Sequence, residues 1–246
     1  MTIGILQIAD FSGDNTNVTT AQATFANPMT AGSAIACWVS WSTANNPGAT
    51  VSVADPTNGS YTALAPTLDD PLATQTLEGF YVGDIAASAG LTVTMTISAA
   101  NRYPSILLAE IGDVAPFAIA GPAAFNGQVQ SPGPSTTDGL SSGDIIIPGS
   151  VANALLLGAC LDNFVGSPAA GTGFTNDGLF WNFNNTSGPG AYCRLESLLV
   201  NSGTFAALFS GAVGNGSLTF GMAFAETGSG PSIVASPLFF GGPGLM

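Results

Sequence analysis

Apolar and polar residues alternate with a period of two along much of this chain. In Thr92-Val93-Thr94-Met95-Thr96-Ile97 the hydroxyls face one way and the apolar groups the other. That is the pattern of a strand with one face in a core and one in solvent. No apolar repeat of 3.6 residues survives between the 32 Gly and 16 Pro that punctuate the chain, so helices are not expected. The β-rich runs predict strands at Ile3–Ala9, Val18–Phe25, Ser33–Ser42, Thr50–Ala54, Tyr61–Ala65, Thr76–Val82, Leu91–Ile97 and Ser105–Ile111. Further strands are predicted at Asp144–Ile147, Ala154–Cys160, Leu179–Phe183, Ala191–Val200, Phe205–Ser210, Ser217–Glu226 and Ile233–Phe239. Many short strands separated by turn signals predict an all-β fold, an antiparallel β-sandwich of jelly-roll type.

The chain also reads as two similar halves. AGSAIACWVSWS, GSYTALAP, LEGFYVGDI, LTVTMTIS and SILLAEIG in the first half find counterparts in VANALLLGACLD, GTGFTND, YCRLESLLV, GTFAALFSG and SLTFGMAFAE in the second. Cys37 then aligns with Cys160, Tyr61 with Phe174, Glu78 with Arg194 or Glu196, and Glu110 with Glu226. We read residues 1–246 as one sandwich unit shared by halves 1–114 and 144–246. The Pro-, Gly- and Ser-rich stretch 115–143 reads as the connection between them.

Composition narrows the function. Hydrophobic residues make up 46% of the 246, but charged residues only 7%, against roughly 25% in ordinary globular proteins. The surface must be built from Ser, Thr, Asn, Gly and backbone. Arg102 and Arg194 are the only cations, and the formal net charge is −13. Clustered Lys and Arg are what release counterions from phosphates, so nucleic acid is not an expected partner. An anionic membrane surface is disfavoured on the same ground. Apolar runs such as Ile145-Ile146-Ile147 and Leu155-Leu156-Leu157 are far too short to span about 30 Å of hydrocarbon, and membrane insertion is not expected. The N-terminal MTIGILQIADF has neither the basic nor the long apolar region of a secretory signal.

Several segments resemble a bacterial β-sandwich domain that occurs in large surface proteins and in short leaderless proteins. The resemblance rests on Ala31-Gly32-Ser33, Trp38-Val39, the run 53–62 (VADPTNGSYT), 80–87 (FYVGDIAA), 92–94 (TVT) and 103–111 (YPSILLAEI). The second half adds 152–158 (ANALLLG), 171–175 (GTGFT) and 203–207 (GTFAA). It implies a β-sandwich and an exterior setting, and it brings no assigned chemistry; with no secretory signal read in the N-terminus, the expected location is extracellular, at the cell surface or on a virion.

Candidate chemistry is sparse. With no His and no Lys, imidazole bases, catalytic triads and Schiff bases are unavailable, and an enzyme is not expected. A carboxylate pair for glycoside hydrolysis is the remaining route. Glu110 and Glu196 are its best candidates, but strand glutamates more often face solvent or pair with an arginine. Hard oxygen ligands for calcium could come from the turns Asp10–Asp14, Asp69-Asp70 and Asp138–Asp144, although none has a known calcium-loop spacing. No cofactor is expected otherwise. Trp38 and Trp41 should point to opposite faces of their strand, one of them into the core. Trp181 with Asn182, Asn184 and Asn185 is the better platform for glycan contact. Cys37, Cys160 and Cys193 read as buried hydrophobes, with a Cys160–Cys193 bridge as the alternative in an oxidising compartment.

The chain ends are the most informative apolar segments. Ile3, Ile5, Leu6 and Ile8 at one end, and Ile233, Val234, Leu238, Phe239, Phe240, Leu245 and Met246 at the other, are candidates for strand addition between copies. The leading expectation is therefore a homo-oligomeric structural subunit of an extracellular filament, sheath or virion surface. The alternative is a carbohydrate-binding or adhesion module.

Overall fold

A computed structural model of the chain describes residues 2–14, 16–44, 46–70, 75–115, 124–130, 133–163, 167–182, 191–213 and 217–227. Among them the regular structure is all strand. The first half carries β1 (Gly4–Ser12), β2 (Val18–Thr24), β3 (Ala34–Ser42), β4 (Val51–Asp55), β5 (Gly59–Ser60) and β6 (Thr62–Asp70). It continues with β7 (Gln75–Val82), β8 (Thr92–Asn101) and β9 (Ser105–Gly112). The second half carries β10 (Ala124–Gln130), β11 (Gly133–Ser141), β12 (Ile145–Ile147), β13 (Ala154–Asn163) and β14 (Ala169–Ala170). It ends with β15 (Thr175–Asn182), β16 (Ala191–Val200), β17 (Gly203–Phe205), β18 (Leu208–Val213) and β19 (Ser217–Ala225).

Every pairing between these strands is antiparallel. Two five-stranded sheets run in the orders β1-β9-β3-β7-β6 and β10-β19-β13-β16-β15. The two orders correspond strand for strand along the chain. The first sheet is covered by β2-β8-β4-β5, and the second by β11-β18-β14 together with the pair β12-β17. Among the described residues no sheet mixes strands of the two halves. Instead of sharing one sandwich, each half makes its own pair of facing layers, and the two five-stranded sheets pack against each other.

The side chains explain this four-layer stack. On β3, Ile35, Cys37, Val39 and Trp41 point toward Val93, Met95 and Ile97 of the outer strand β8. The alternate residues Ala34, Ala36 and Trp38 point the other way. They meet Leu155, Leu157, Ala159 and Leu161 of β13 and Phe220 and Met222 of β19. Strands covered on both faces lose their polar positions, and β3, β9 and β19 are buried from end to end. The outer strand β8 keeps the alternation: Val93, Met95 and Ile97 are buried while Thr96 is exposed.

Double coverage corrects the expectation for the tryptophans, and the cysteines are the buried hydrophobes expected. Trp38 and Trp41 do face opposite ways, but both are buried, one in the core between the halves and the other inside the first. Cys160 and Cys193 are free and cannot bridge. They lie on opposite faces of their sheet, because Cys160 stands opposite Arg194 and Leu161 opposite Cys193. Stretch 115–143 also holds more than a connection. It contributes β10, an edge of the second five-stranded sheet, and β11. Their Gly, Pro, Ser and Gln content hid them, since an edge strand needs few large apolar residues.

The central interface depends on a close approach at Gly79 of β7. A Cβ there would come within 2.7 Å of the Phe220 ring and 2.8 Å of the Met222 methyl. Gly79→Ala should therefore destabilise the protein by about 1–3 kcal/mol, the usual range for overpacking. The denaturation midpoint measures it, and an unchanged midpoint would show that the ring moves aside freely.

Candidate functional site

The described glutamates sit at structural joints. Glu110 on β9 stands opposite Ile35 and faces the interior of the first half. Its Oε1 accepts the Thr30 N–H at 2.7 Å and lies 2.8 Å from the Ser33 hydroxyl. Its Oε2 accepts the Gln7 side-chain amide at 2.6 Å. Gln7 sits where the β1–β9 register shifts, and its own carbonyl accepts the Asn27 N–H. Glu110 thus ties the edge strand and the 27–33 loop to the sheet.

Glu196 on β16 does the same in the second half. It stands opposite Gly158, where a Cβ would come within 2.5 Å of Ala207 and 3.1 Å of the carboxylate. The missing side chain makes room for Glu196, whose oxygens accept the Gly171 N–H at 2.8 Å and the Leu208 N–H at 2.9 Å. Burial outweighs those two donors and pushes its pKa up to about 8. Glu78 on β7 is also pushed up by burial, to about 7. Glu226 accepts the Ile3 N–H and the Asn153 amide, joining the end of β19 to the start of the chain.

Glu110 and Glu196 face the interiors of different halves and each carboxylate is engaged by backbone donors. The structure does not bring them together as a catalytic pair around a common cleft. The aspartate turns are likewise engaged locally. Asp14 Oδ1 accepts the Thr16 N–H, Asp138 Oδ1 accepts the Thr172 N–H, and Asp69 accepts the Thr76 hydroxyl. No group of three or more His, Cys, Asp or Glu able to hold a metal occurs among the described residues. Arg194 donates to the Pro168 carbonyl and to Asn176, fixing β15 beside β16.

Trp181 and Asn182 lie at the end of β15, with Asn182 opposite Tyr192; Asn184 and Asn185 lie outside the described residues. At the N-terminus, Ile3 is buried in the central core, and Ile5 and Ile8 pack against it. Only Leu6 of that set is turned outward, at 50% exposure. Ile233, Val234, Leu238, Phe239, Phe240, Leu245 and Met246 lie outside the described residues.

A different set of apolar residues is exposed. Leu6 and Phe11 on β1, Phe125 and Val129 on β10, and Leu179 on β15 all lie on strands at the edges of the two five-stranded sheets, Phe125 with one ring face stacked on Phe220. Leu199 on β16 and Ile146 on β12 complete the exposed large hydrophobics among the described residues. Sequence reasoning singled out Leu6 alone. The signal for Phe125 and Val129 was an alternation inside the stretch read as a connection. No helix among the described residues is long and apolar enough to cross a membrane.

No family model matches the chain, and no curated protein or solved structure matches it.

Proposed function

We propose that the protein is a structural subunit that self-assembles through its strand edges, in an extracellular filament, sheath or virion surface. The observation that carries this reading is where the exposed apolar residues lie: among the described residues, five of the seven exposed large hydrophobics are on the edge strands β1, β10 and β15. An edge strand offers a row of backbone donors and acceptors for another chain. Natural proteins usually guard it with lysine, proline or an inward charge. This chain has no lysine; its edges β1 and β15 carry register irregularities and one carboxylate each, Asp10 and Asp177, beside exposed leucine and phenylalanine.

Strand addition at such an edge satisfies the backbone groups and buries the apolar side chains in one step. The charge of −13 opposes association through long-range repulsion, which salt screens. Assembly should therefore strengthen as salt rises. The net function is non-catalytic: the carboxylates hold layers together and the edges make the contacts.

A Leu6→Lys, Leu179→Lys double variant tests this. In sedimentation velocity at physiological salt, the parent chain should form large species while the variant stays monomeric. Equal sedimentation of the two would remove the edges from the account.

A further inference from the structure

The stack has two opposite lateral sides, each built from one edge of each five-stranded sheet. β1 lies beside β15 on one side, and β10 beside β6 on the other. β1 and β10 hold equivalent places in the matching strand orders, so each side presents the same kind of edge. Both carry exposed apolar residues: Leu6, Phe11 and Leu179 on the β1/β15 side, Phe125 and Val129 on the β10/β6 side. A subunit with a sticky edge on each of two opposite sides can hold two neighbours at once, which is what linear growth needs.

The two sides differ in shape and charge. On the β10 side the layers touch: a Cβ at Gly127 would come within 2.8 Å of Phe220 and 3.0 Å of Leu68. On the β1 side a groove of about 460 Å³ remains, lined chiefly by Ile3, Ile5, Leu155, Leu198 and Leu199. Asp177 is part of its wall, and the Oδ2 atom of that carboxylate is buried without a hydrogen-bond partner. Asp10, exposed on β1, adds a second carboxylate to this side. β10, by contrast, reads Ala-Phe-Asn-Gly-Gln-Val-Gln and carries no charge, with the Gln128 side chain exposed. On its neighbour β6 the acidic pair Asp69-Asp70 stands at the end of the strand. Two β1/β15 sides brought together would set carboxylates against carboxylates, and like charges within a contact are costly. A β10 edge instead brings apolar side chains for the groove and an amide donor for the carboxylates.

We propose that copies meet head to tail, the β10 edge of one seated on the β1/β15 side of the next, with Phe125 and Val129 against the groove. This rests on the self-assembly reading and names the two surfaces that join within it. The contact unites different patches of the two copies. It is therefore heterologous, and repeating it without ring closure builds a filament whose two ends differ.

A complementation experiment by sedimentation velocity at physiological salt tests it. The Leu6→Lys, Leu179→Lys variant spoils the β1/β15 side. Val129→Glu spoils the β10 side, setting a new carboxylate opposite Asp10 and Asp177. The three positions are 50%, 45% and 43% exposed, so both variants should keep the parent's far-ultraviolet dichroism. Gln128→Glu, at an exposed side chain on the same strand, replaces Val129→Glu if that variant fails to fold. Each variant alone should sediment as a monomer. An equimolar mixture should form a dimer and nothing larger, because only one pair of intact complementary sides remains. Dimers of the Val129→Glu variant alone would join β1/β15 sides to each other, and dimers of the lysine variant alone would join β10 edges. Either result overturns the head-to-tail contact while leaving edge assembly standing, and a mixture that stays monomeric also overturns it. Large species from both variants alone, or a monomeric parent, would remove edge assembly itself and this contact with it.

Discussion

Raising the pH from about 4.5 to about 8 should weaken the fold progressively, with the protein at its most stable in mild acid. Glu196 is the main cause. Its carboxyl is fully buried and its pKa is pushed from 4.5 up to about 8. Between those values the folded chain keeps a proton that the unfolded chain has released. Stability is therefore full below about 4.5, falls as pH rises, and levels off above about 8. Each pH unit inside that window costs about 1.4 kcal/mol for one such group, and the whole effect is several kcal/mol. Glu78, pushed up to about 7 by burial, acts in the same direction. So do Asp10 and Asp177, both raised by burial. At the acid end Asp14 and Asp138 oppose this. Hydrogen bonds to Thr16 and Thr172 hold both below the usual carboxylate range, so their contribution is lost as pH falls through that range. Denaturation midpoints at pH 4.5, 6 and 8 should decline in that order. Glu196→Gln should flatten the decline and be less stable than the parent at pH 4.5, where an amide NH₂ faces a backbone N–H that needs an acceptor. A parent stability that rises from pH 4.5 to 8 would contradict the assignment.

The second large effect is at the centre of the stack. Trp38 is fully buried between the halves, and its indole N–H has no hydrogen-bond partner. Trp38→Ala therefore forfeits packing and leaves a cavity without breaking a polar contact. Such truncations cost about 3–5 kcal/mol, a large share of the roughly 5–15 kcal/mol that holds a domain folded. For a chain of this length each kcal/mol moves Tm by about 2–4 °C, so Tm should fall by roughly 10 °C. The core around Trp38 draws side chains from both halves, so far-ultraviolet dichroism and tryptophan fluorescence should report one coincident transition. A loss under about 1 kcal/mol, or separate transitions for the two probes, would show that the halves do not lean on each other there. Ile146→Ala, at a side chain 68% exposed, should leave Tm nearly unchanged.

Much of the strand layout was legible because period-two alternation survives wherever one face meets solvent. The hydroxyls and apolar residues of β8 announced both its conformation and its faces. The layer order was not legible. Ala34–Ser42 reads as one more apolar strand, and nothing in it says that both faces will be covered. For that reason one tryptophan, rather than both, was assigned to the core. β10 and β11 escaped notice because edge strands bury little and tolerate Gly, Pro and Gln. The carboxylates were noticed because an inward-facing glutamate on a strand is unusual, but the expectation that they face solvent or an arginine is corrected: Glu110 and Glu196 are buried and engaged by backbone N–H groups. Their partners could not be read, because the Thr30 and Gly171 N–H groups come from loops and the Leu208 N–H from the start of another sheet's strand. Leu6 was visible from its place in an apolar chain end. Leu179 and Phe125 became notable only once their strands were seen to be edges.

The central claim is that the apolar strand edges drive assembly. Negative-stain electron microscopy of the purified full-length protein at neutral pH and physiological salt tests it most directly. The account predicts regular filaments, tubes or sheets that thin out in the Leu6→Lys, Leu179→Lys variant. Monodisperse single particles of the parent chain at every concentration would contradict it.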